Sequence, residues 1–503
     1  MHNPFIVSIK CPECGAPLRY PEGTYTFKCA YCGSVLRTEA GARDLKYIIT
    51  SSLGQRDIAL ATKKILLQKG VKKLPVIKRI TVVYKPFWYF KGMIYRVFAN
   101  NGKTDVIGKT WSHSFEANNG FAPALSTLGV KTEALTLKPY DSEEYKDSGV
   151  FLPLTVDRES ARNTAAGLAQ RNTEMDASLA VKSDAPRKKR ISLWNSELDF
   201  IEPVQEKTDL RMKTPEAFSR VYMAGEKFFI IYYPVINVIC KGPEEYSGFL
   251  LDGVSRALLE ETDGASVISG EKTPEAAAQY RIRLLTHRCK NCGHDLAPRD
   301  FDIIYFCGNC CRLWLLKGDG YLGVKLNVLD AGSNRNILYI PMWAFDVALE
   351  SEKAGVAMDS VGGLAGFMKM GEMILRDRDP AVGLRLFVPA LVSRNAGALL
   401  KFAANISRMQ KEAPPASGSP DFLRLKVMNV SLPPEEAVDM LYPLVCSLIG
   451  RVDPQAMNFY SDLRIKVRKS ELVWRPFTGS GYNYIDYFTR LSLPRRSLDV
   501  NVY

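Results

Sequence analysis

Eight of the eleven cysteines in this 503-residue chain occur as C-x2-C pairs, and the pairs repeat one spacing twice. In CPECGAPLRYPEGTYTFKCAYCGS, starting at Cys11, fourteen residues separate the two pairs; CKNCGHDLAPRDFDIIYFCGNCC, starting at Cys289, has the same fourteen. Two residues between paired cysteines let one tight turn aim both sulfurs at one ion, and four thiolates satisfy the tetrahedral preference of zinc. The chain is therefore expected to close two cages: Cys11, Cys14, Cys29 and Cys32 in one, Cys289, Cys292, Cys307 and Cys310 in the other. Both read as zinc ribbons holding one ion each. Iron in a rubredoxin-like cage uses the same spacing, so spacing does not choose the metal. A catalytic zinc keeps one coordination position open and a four-thiolate cage has none, so the expected role is structural.

The residue after the second cysteine of each pair is expected at positive φ, where glycine has no Cβ to clash. Gly15, Gly33 and Gly293 fit, but the fourth turn has Cys311 there. The eighth ligand is then Cys310 or, by a slipped register, Cys311; Cys310 keeps the spacing of fourteen. Residues 18–20 and 25–28 flank the turn PEGT, and residues 303–306 follow APRD, so a short hairpin is expected inside each ribbon.

The length predicts roughly three or four domains at about 100–200 residues each. Hydrophobic residues at 46% and charged residues at 24% are a globular composition, not a disordered one. The opening MHNPFIVSIKC has no secretory pattern. The longest apolar run, FFIIYYPVINVIC from Phe228, is thirteen residues with Pro and Asn inside it. That is short of the roughly 20 a membrane helix needs, so no transmembrane segment is expected and the run reads as a buried strand pair. A cytoplasmic, reducing location follows, which favours thiolate ligands over disulfides.

Other landmarks recur in the same order as the cages. YKPFWYF at Tyr84 matches YIPMWAF at Tyr339, FAPAL at Phe121 matches FVPAL at Phe387, FLPLTVDRESA at Phe151 matches SLPPEEA at Ser431, and KFFIIYYPV at Lys227 matches ELVWRPF at Glu471. Together with the ribbons they predict a tandem duplication with separate insertions in each copy. Asn-Gly in ANNGKT and Asp-Gly in LLDGVS are hairpin signals, so a mainly antiparallel α+β class is expected. The organisation reads as ribbon 1 over residues 1–45, an α+β unit over 46–275, ribbon 2 over 280–318 and a second α+β unit over 319–503. Within the first unit, DIALATKKILLQKG reads as a helix capped by Asp57 and stopped at Gly70, residues 158–190 as a helical and polar stretch, and 183–190 as a linker.

With its ribbons and its KPFW and IPMW segments, the chain resembles a group of bacterial proteins in which a transcription-factor-type zinc ribbon precedes a strand ending in V-P-F-W. That resemblance implies a cytoplasmic zinc-ribbon protein and supplies no active site.

Two binding classes remain. A net charge of +13 permits an anionic partner. Lys63, Lys64, Lys69, Lys72, Lys73, Lys78 and Arg79 form an acid-free basic stretch, and Arg187, Lys188, Lys189 and Arg190 a compact cluster suited to phosphates. Tyr25, Phe27, Tyr31 and Tyr305 are candidates to stack on bases, or else fill the ribbon cores. The aromatic-proline segments at residues 87–90 and 342–345 are candidate docking anchors, with Trp88 and Trp343 themselves expected in the cores. The four histidines, His2, His113, His287 and His294, lack the companions of a metalloprotease or deaminase. His287 and His294 lie beside the second cage, as spare ligands or groups supporting it or, the reading preferred here, as solvated ribbon residues, and GGLAGFMKMGEM at Gly362 reads as a flexible loop without the phosphate-tethering Gly-Lys-Ser/Thr. The sequence thus predicts a non-enzymatic scaffold that engages a protein partner, with nucleic-acid binding as the alternative.

Overall fold

The architecture comes from a computed structural model, which describes residues 5–38, 45–51, 53–71, 75–100, 102–118, 120, 128, 135–183, 219–242, 246–262, 284–299, 301–318, 320–331, 337–370, 374–375, 379–410 and 425–498. It is α+β and mainly antiparallel. The chain begins with β1 (Ile6–Lys10), β2 (Pro17–Pro21), β3 (Thr26–Lys28) and β4 (Val35–Thr38), continues through β5 (Leu45–Ile48) and α1 (Gln55–Gln68), and enters β6 (Val76–Asn100), which turns back as β7 (Lys103–Glu116). β8 (Thr136–Pro139), α2 (Ser142–Tyr145), β9 (Val150–Phe151) and α3 (Arg158–Ser183) precede β10 (Ser219–Lys241), β11 (Tyr246–Asp252) and β12 (Leu258–Thr262). The second half runs through β13 (Leu284–Thr286), β14 (Ile304–Phe306), β15 (Leu313–Lys317), β16 (Gly320–Val324), β17 (Asn327–Val328), β18 (Ile337–Ser351), β19 (Val356–Met358), α4 (Val361–Met368) and β20 (Arg385–Pro389). It ends with α5 (Ala396–Met409), α6 (Pro434–Val438), α7 (Leu441–Ile449), α8 (Pro454–Asp462), β21 (Arg464–Ser480), β22 (Asn483–Asp486) and β23 (Ser492–Pro494).

FFIIYYPVINVIC is not a strand pair. It lies within β10, one strand paired along its length with β6. Alternate residues bury into different cores: Phe228, Ile230 and Tyr232 join Trp88, Phe90 and Ile94, while Phe229, Ile231 and Tyr233 join Phe87 and Tyr89. Because both faces are covered, the sequence reads as a continuous apolar run instead of an alternation. The Asn-Gly signal marks the β6–β7 turn, with Gly102 at φ +75°. The Asp-Gly signal does not make a two-residue turn: Asp252 N–H donates to the Ala257 carbonyl, and it is Arg256 that takes positive φ. α1 forms as expected, but Asp57 sits inside it at the third position and accepts from the Gly54 N–H, with Gly54 at the cap. GGLAGFM is not a loop; it builds α4, capped by Ser360 and buried over much of its length.

Landmarks in the two halves share their pairing. Tyr84, Pro86 and Trp88 face Pro234, Tyr232 and Ile230; Tyr339, Pro341 and Trp343 face Pro476, Trp474 and Leu472. One register shift follows at corresponding places, between Ala224 and Lys227 and between Asp346 and Val347. Trp88 Nε1 donates to the Val156 carbonyl at 2.9 Å, and Trp343 Nε1 to the Leu432 carbonyl at 2.8 Å. Ala117 N–H meets Pro86 O and Ala390 N–H meets Pro341 O, each at 3.0 Å. Ala390 of FVPAL thus has its positional counterpart in Ala117, whereas FAPAL lies outside the described residues. A further pair went unread in the sequence: LDGVSRA and IDYFTRL place Asp252 and Asp486 alike, each followed four residues later by an arginine at positive φ, Arg256 and Arg490.

The halves are packed together. The β6–β7 hairpin lies on α5 and α7, where Gly108 and Gly397 approach so closely that a Cβ on Gly397 would stand 2.6 Å from the Gly108 nitrogen. Thr104 donates to the Cys446 carbonyl, and Lys401 pairs with Asp105 at 2.6 Å. α6 crosses β10 at its bulge, where burial pushes the Glu436 carboxyl from an ordinary 4.5 up to about 7. A raised folded-state value means that protonated Glu436 stabilises the fold fully below about pH 4.5 and that this contribution is lost as pH rises through 7. Glu436→Gln is accordingly expected to raise the Tm at pH 8, with the gain shrinking toward pH 5. A scanning calorimetry series giving the same shift at both pH values would contradict this.

Candidate metal centres

Each C-x2-C pair sits at the tip of its own hairpin. β1 and β2 flank Cys11 and Cys14, β3 and β4 flank Cys29 and Cys32, and β14 and β15 flank Cys307 and Cys310. A bridge between Arg288 and Asp295 closes the turn that holds Cys289 and Cys292. The expected hairpin between residues 18–20 and 25–28 therefore does not form: β2 and β3 belong to different hairpins, each pointing two sulfurs inward. Every turn uses the same clamp. The first cysteine's carbonyl accepts from the N–H four residues on, at 2.9 Å for Gly15, 3.0 Å for Gly33 and 2.9 Å for Gly293 and Cys311. Its own N–H donates to the carbonyl of Ala16, Ser34, His294 or Arg312.

This clamp needs a left-handed residue after the second cysteine. Gly15, Gly33 and Gly293 stand at φ +74°, +76° and +70°, and Cys311 at +55°. Cys311 thus occupies the turn position, exposed, while Cys310 faces the other three sulfurs. A non-glycine left-handed residue costs roughly 1–2 kcal/mol. Cys311→Gly should stabilise the second ribbon by about 1 kcal/mol with metal content unchanged, whereas Cys310→Ser should remove one metal ion per chain. Elemental analysis giving the reverse would establish the slipped register.

The donor sets fit zinc. The four sulfurs of each group lie within 4.8 Å of one another. Cys11 and Cys32, and Cys14 and Cys29, are 3.9 Å apart; Cys289 and Cys310 are at 3.6 Å, Cys292 and Cys307 at 3.5 Å. A tetrahedral ion with Zn–S near 2.3 Å requires sulfur edges of about 3.8 Å. Cys11, Cys29, Cys289 and Cys307 are buried, and Cys14, Cys32 and Cys292 are exposed, so each cage sits at the surface with one side against the protein. A carefully reduced preparation is expected to carry about two metal ions per chain, and finding one or none by elemental analysis would contradict the geometry.

The remaining candidates separate clearly. Tyr25 holds Lys227 over its ring at 4.8 Å, Phe27 stacks on Tyr20, and Tyr305 is buried, so only Tyr31 stands out in solvent, 69% exposed. The segments at 87–90 and 342–345 are buried throughout and offer no docking anchor. Lys63, Lys64, Lys78 and Arg79 are exposed, and Lys69 pairs with Glu261. Lys72, Lys73, the cluster Arg187, Lys188, Lys189 and Arg190, the linker beyond Ser183, and His2 lie outside the described residues. His294 is exposed as expected, but His287 is buried, its Nδ1 2.5 Å from the Tyr321 hydroxyl. Burial and the nearby Arg37 push its imidazole down to about 4, which keeps it neutral. No helix among the described residues is long and apolar enough to cross a membrane.

No family model matches the chain, and it matches no curated protein and no solved structure.

Proposed function

We propose that the chain is a non-enzymatic zinc-ribbon scaffold, in which two structural zinc ions brace a duplicated α+β framework that holds a protein partner. The observation that carries this reading is the enclosure of both cages: four thiolates converge in each, leaving no position for a substrate, and the hairpins that supply them are packed into the framework. Duplication is supported by the matched registers around Trp88 and Trp343, the matched indole hydrogen bonds and the matched Asp252 and Asp486 turns. The proposal takes in kinship with bacterial zinc-ribbon proteins and a cytoplasmic setting.

A partner surface is offered by the outer face of α1. Leu60 and Leu67, 65% and 55% exposed, lie two turns apart with Lys63 and Lys64 between them. Exposed apolar side chains of this kind lose their water on contact with a partner, which favours association. The same lysines, with Lys78 and Arg79, sustain nucleic-acid binding as the second reading. The two readings part on salt. Under the scaffold reading, capture of a partner from nuclease-treated lysate persists at high salt and is abolished by Leu60→Glu with Leu67→Glu, while DNA and RNA bind only weakly at physiological salt. Submicromolar, salt-sensitive nucleic-acid binding that disappears when Lys63, Lys64, Lys78 and Arg79 are changed to Gln would reverse the order.

A further inference from the structure

The two cages are not separate appendages. β13, the strand that leads into Cys289, pairs antiparallel with β4, the strand that leads out of Cys32, and so completes a three-stranded sheet with β3 in the first ribbon. The ladder runs from Leu284 opposite Thr38 to Thr286 opposite Leu36, and continues when His287 N–H donates to the Val35 carbonyl at 3.0 Å. A second set of bonds joins the same Cys29 and Cys32 hairpin to the segment that leads into Cys307. Thr26, fully buried on β3, donates from Oγ1 to the Arg299 carbonyl and accepts from the Arg299 N–H, both at 2.9 Å. The Tyr305 hydroxyl, on the strand entering Cys307, lies 3.3 Å from the same Thr26 oxygen. Between these contacts the Arg37 guanidinium of β4 lies over the Tyr321 ring at 5.1 Å, and Tyr321 in turn holds His287.

Thus Thr26 lies three residues before Cys29, Val35 three after Cys32, His287 two before Cys289 and Tyr305 two before Cys307. Neither ribbon can lose its shape without withdrawing hydrogen-bond partners from the backbone that aims the other's sulfurs. Structural zinc sites are commonly folded only when loaded, so emptying one cage releases β3 and β4, or β13 and β14, from the shared seam. We propose that the two cages are one cooperative metal unit, in which zinc at either site preorganises the other. The inference rests on the structural-zinc reading above. Coupling between linked sites typically amounts to roughly 5- to 150-fold in affinity and is reciprocal.

The test uses the full-length chain, stripped of metal under reducing conditions and reloaded with less than one equivalent of zinc per cage. Native mass spectrometry is expected to show the empty and two-zinc forms with the one-zinc form scarce. Thr26→Val keeps all eight thiolates but removes the exchange with Arg299, and should make the one-zinc form prominent. In competition with a chromophoric chelator, the second cage of Cys14→Ser should bind zinc at least about 5-fold more weakly than that cage does in the intact chain. A one-zinc form that predominates in the unaltered chain, with Thr26→Val indistinguishable from it, overturns the coupling while leaving two structural sites in place. A chain that never binds more than one zinc overturns the structural-zinc reading itself. Should Cys14→Ser fail to fold, the unaltered chain and Thr26→Val decide the question alone.

Discussion

Cys307→Ser will cost the chain most of its tertiary structure, whereas Cys14→Ser will leave it folded around one collapsed ribbon. The two cages stand in different surroundings. Cys11, Cys29, Leu18 and Leu36 form a small cluster of their own. Cys289, Cys307, Ile303, Ile304, Tyr305 and the side chains of β15 instead belong to the largest core, continuous with Trp343, Phe345, Leu364 and Val388 of the second unit and with Met93, Tyr95 and Val97 of the first. A structural zinc site carries roughly 10–16 kcal/mol of apparent binding free energy, as large as the ~5–15 kcal/mol that separates folded from unfolded domains. Losing it where the ribbon is part of the main core removes more than that core can spare. Hydrogen exchange should show protection lost in Cys14→Ser chiefly over residues 5–38 and 284–286, and in Cys307→Ser also along β18 and β21. Retention of native near-ultraviolet dichroism and cooperative unfolding in Cys307→Ser would show that the second ribbon is dispensable to the core.

Asp486→Ala is expected to destabilise the second unit by about 3–5 kcal/mol. Arg475 and Asp486 are both essentially inaccessible to solvent and meet through two hydrogen bonds of 3.1 Å, Nε to one carboxylate oxygen and Nη2 to the other. Asp486 also accepts from the N–H and hydroxyl of Thr489. Truncating the carboxylate strands a guanidinium between Phe387 and Phe488, where no water replaces its partner. At the corresponding place in the first half, Tyr233 donates its hydroxyl to Asp252 at 2.8 Å, a neutral donor to a similarly placed acid. Arg475→Tyr should therefore cost less than Asp486→Ala, because it adopts that arrangement and keeps the buried carboxylate hydrogen-bonded, to the new hydroxyl and to Thr489. Urea unfolding that assigns Asp486→Ala less than about 1 kcal/mol, the range of exposed pairs, would mean that water reaches the pair after all.

What could be read from the sequence was whatever local chemistry dictates. A C-x2-C turn is specified within six residues, so the four pairs and three of the four left-handed positions are legible, whereas Cys311 in place of the fourth glycine leaves both Cys310 and Cys311 open as the eighth ligand until the fold shows which sulfur turns inward. The mistakes have a common origin in burial. A run covered on both faces loses the alternation that marks a strand, which is why β10 looked like two elements. GGLAGFM looked like a loop because glycine is a poor helix former, yet Gly362 is packed so tightly on Pro380 that a Cβ there would stand 2.8 Å from its side chain. His287 reads as a solvated ribbon residue because nothing nearby in sequence announces Tyr321 or Arg37. The joining of β13 to β4 was equally invisible, since short apolar strands such as LLT carry no mark of the partner they will find.

The seam between the ribbons also sets an order of events during synthesis. Thr26 and Arg299 are 273 residues apart in the chain, so the first ribbon, although translated before the second, cannot finish its sheet until the second begins to emerge. At roughly 5–20 residues per second the outer edge of β4 waits on the order of 10–60 s without its strand. An unpaired edge is a template for any extended segment nearby, including the same edge on a neighbouring nascent chain. Early capture of zinc by Cys11, Cys14, Cys29 and Cys32 would hold that edge in shape while it waits, making metal supply a determinant of yield well before it becomes one of stability.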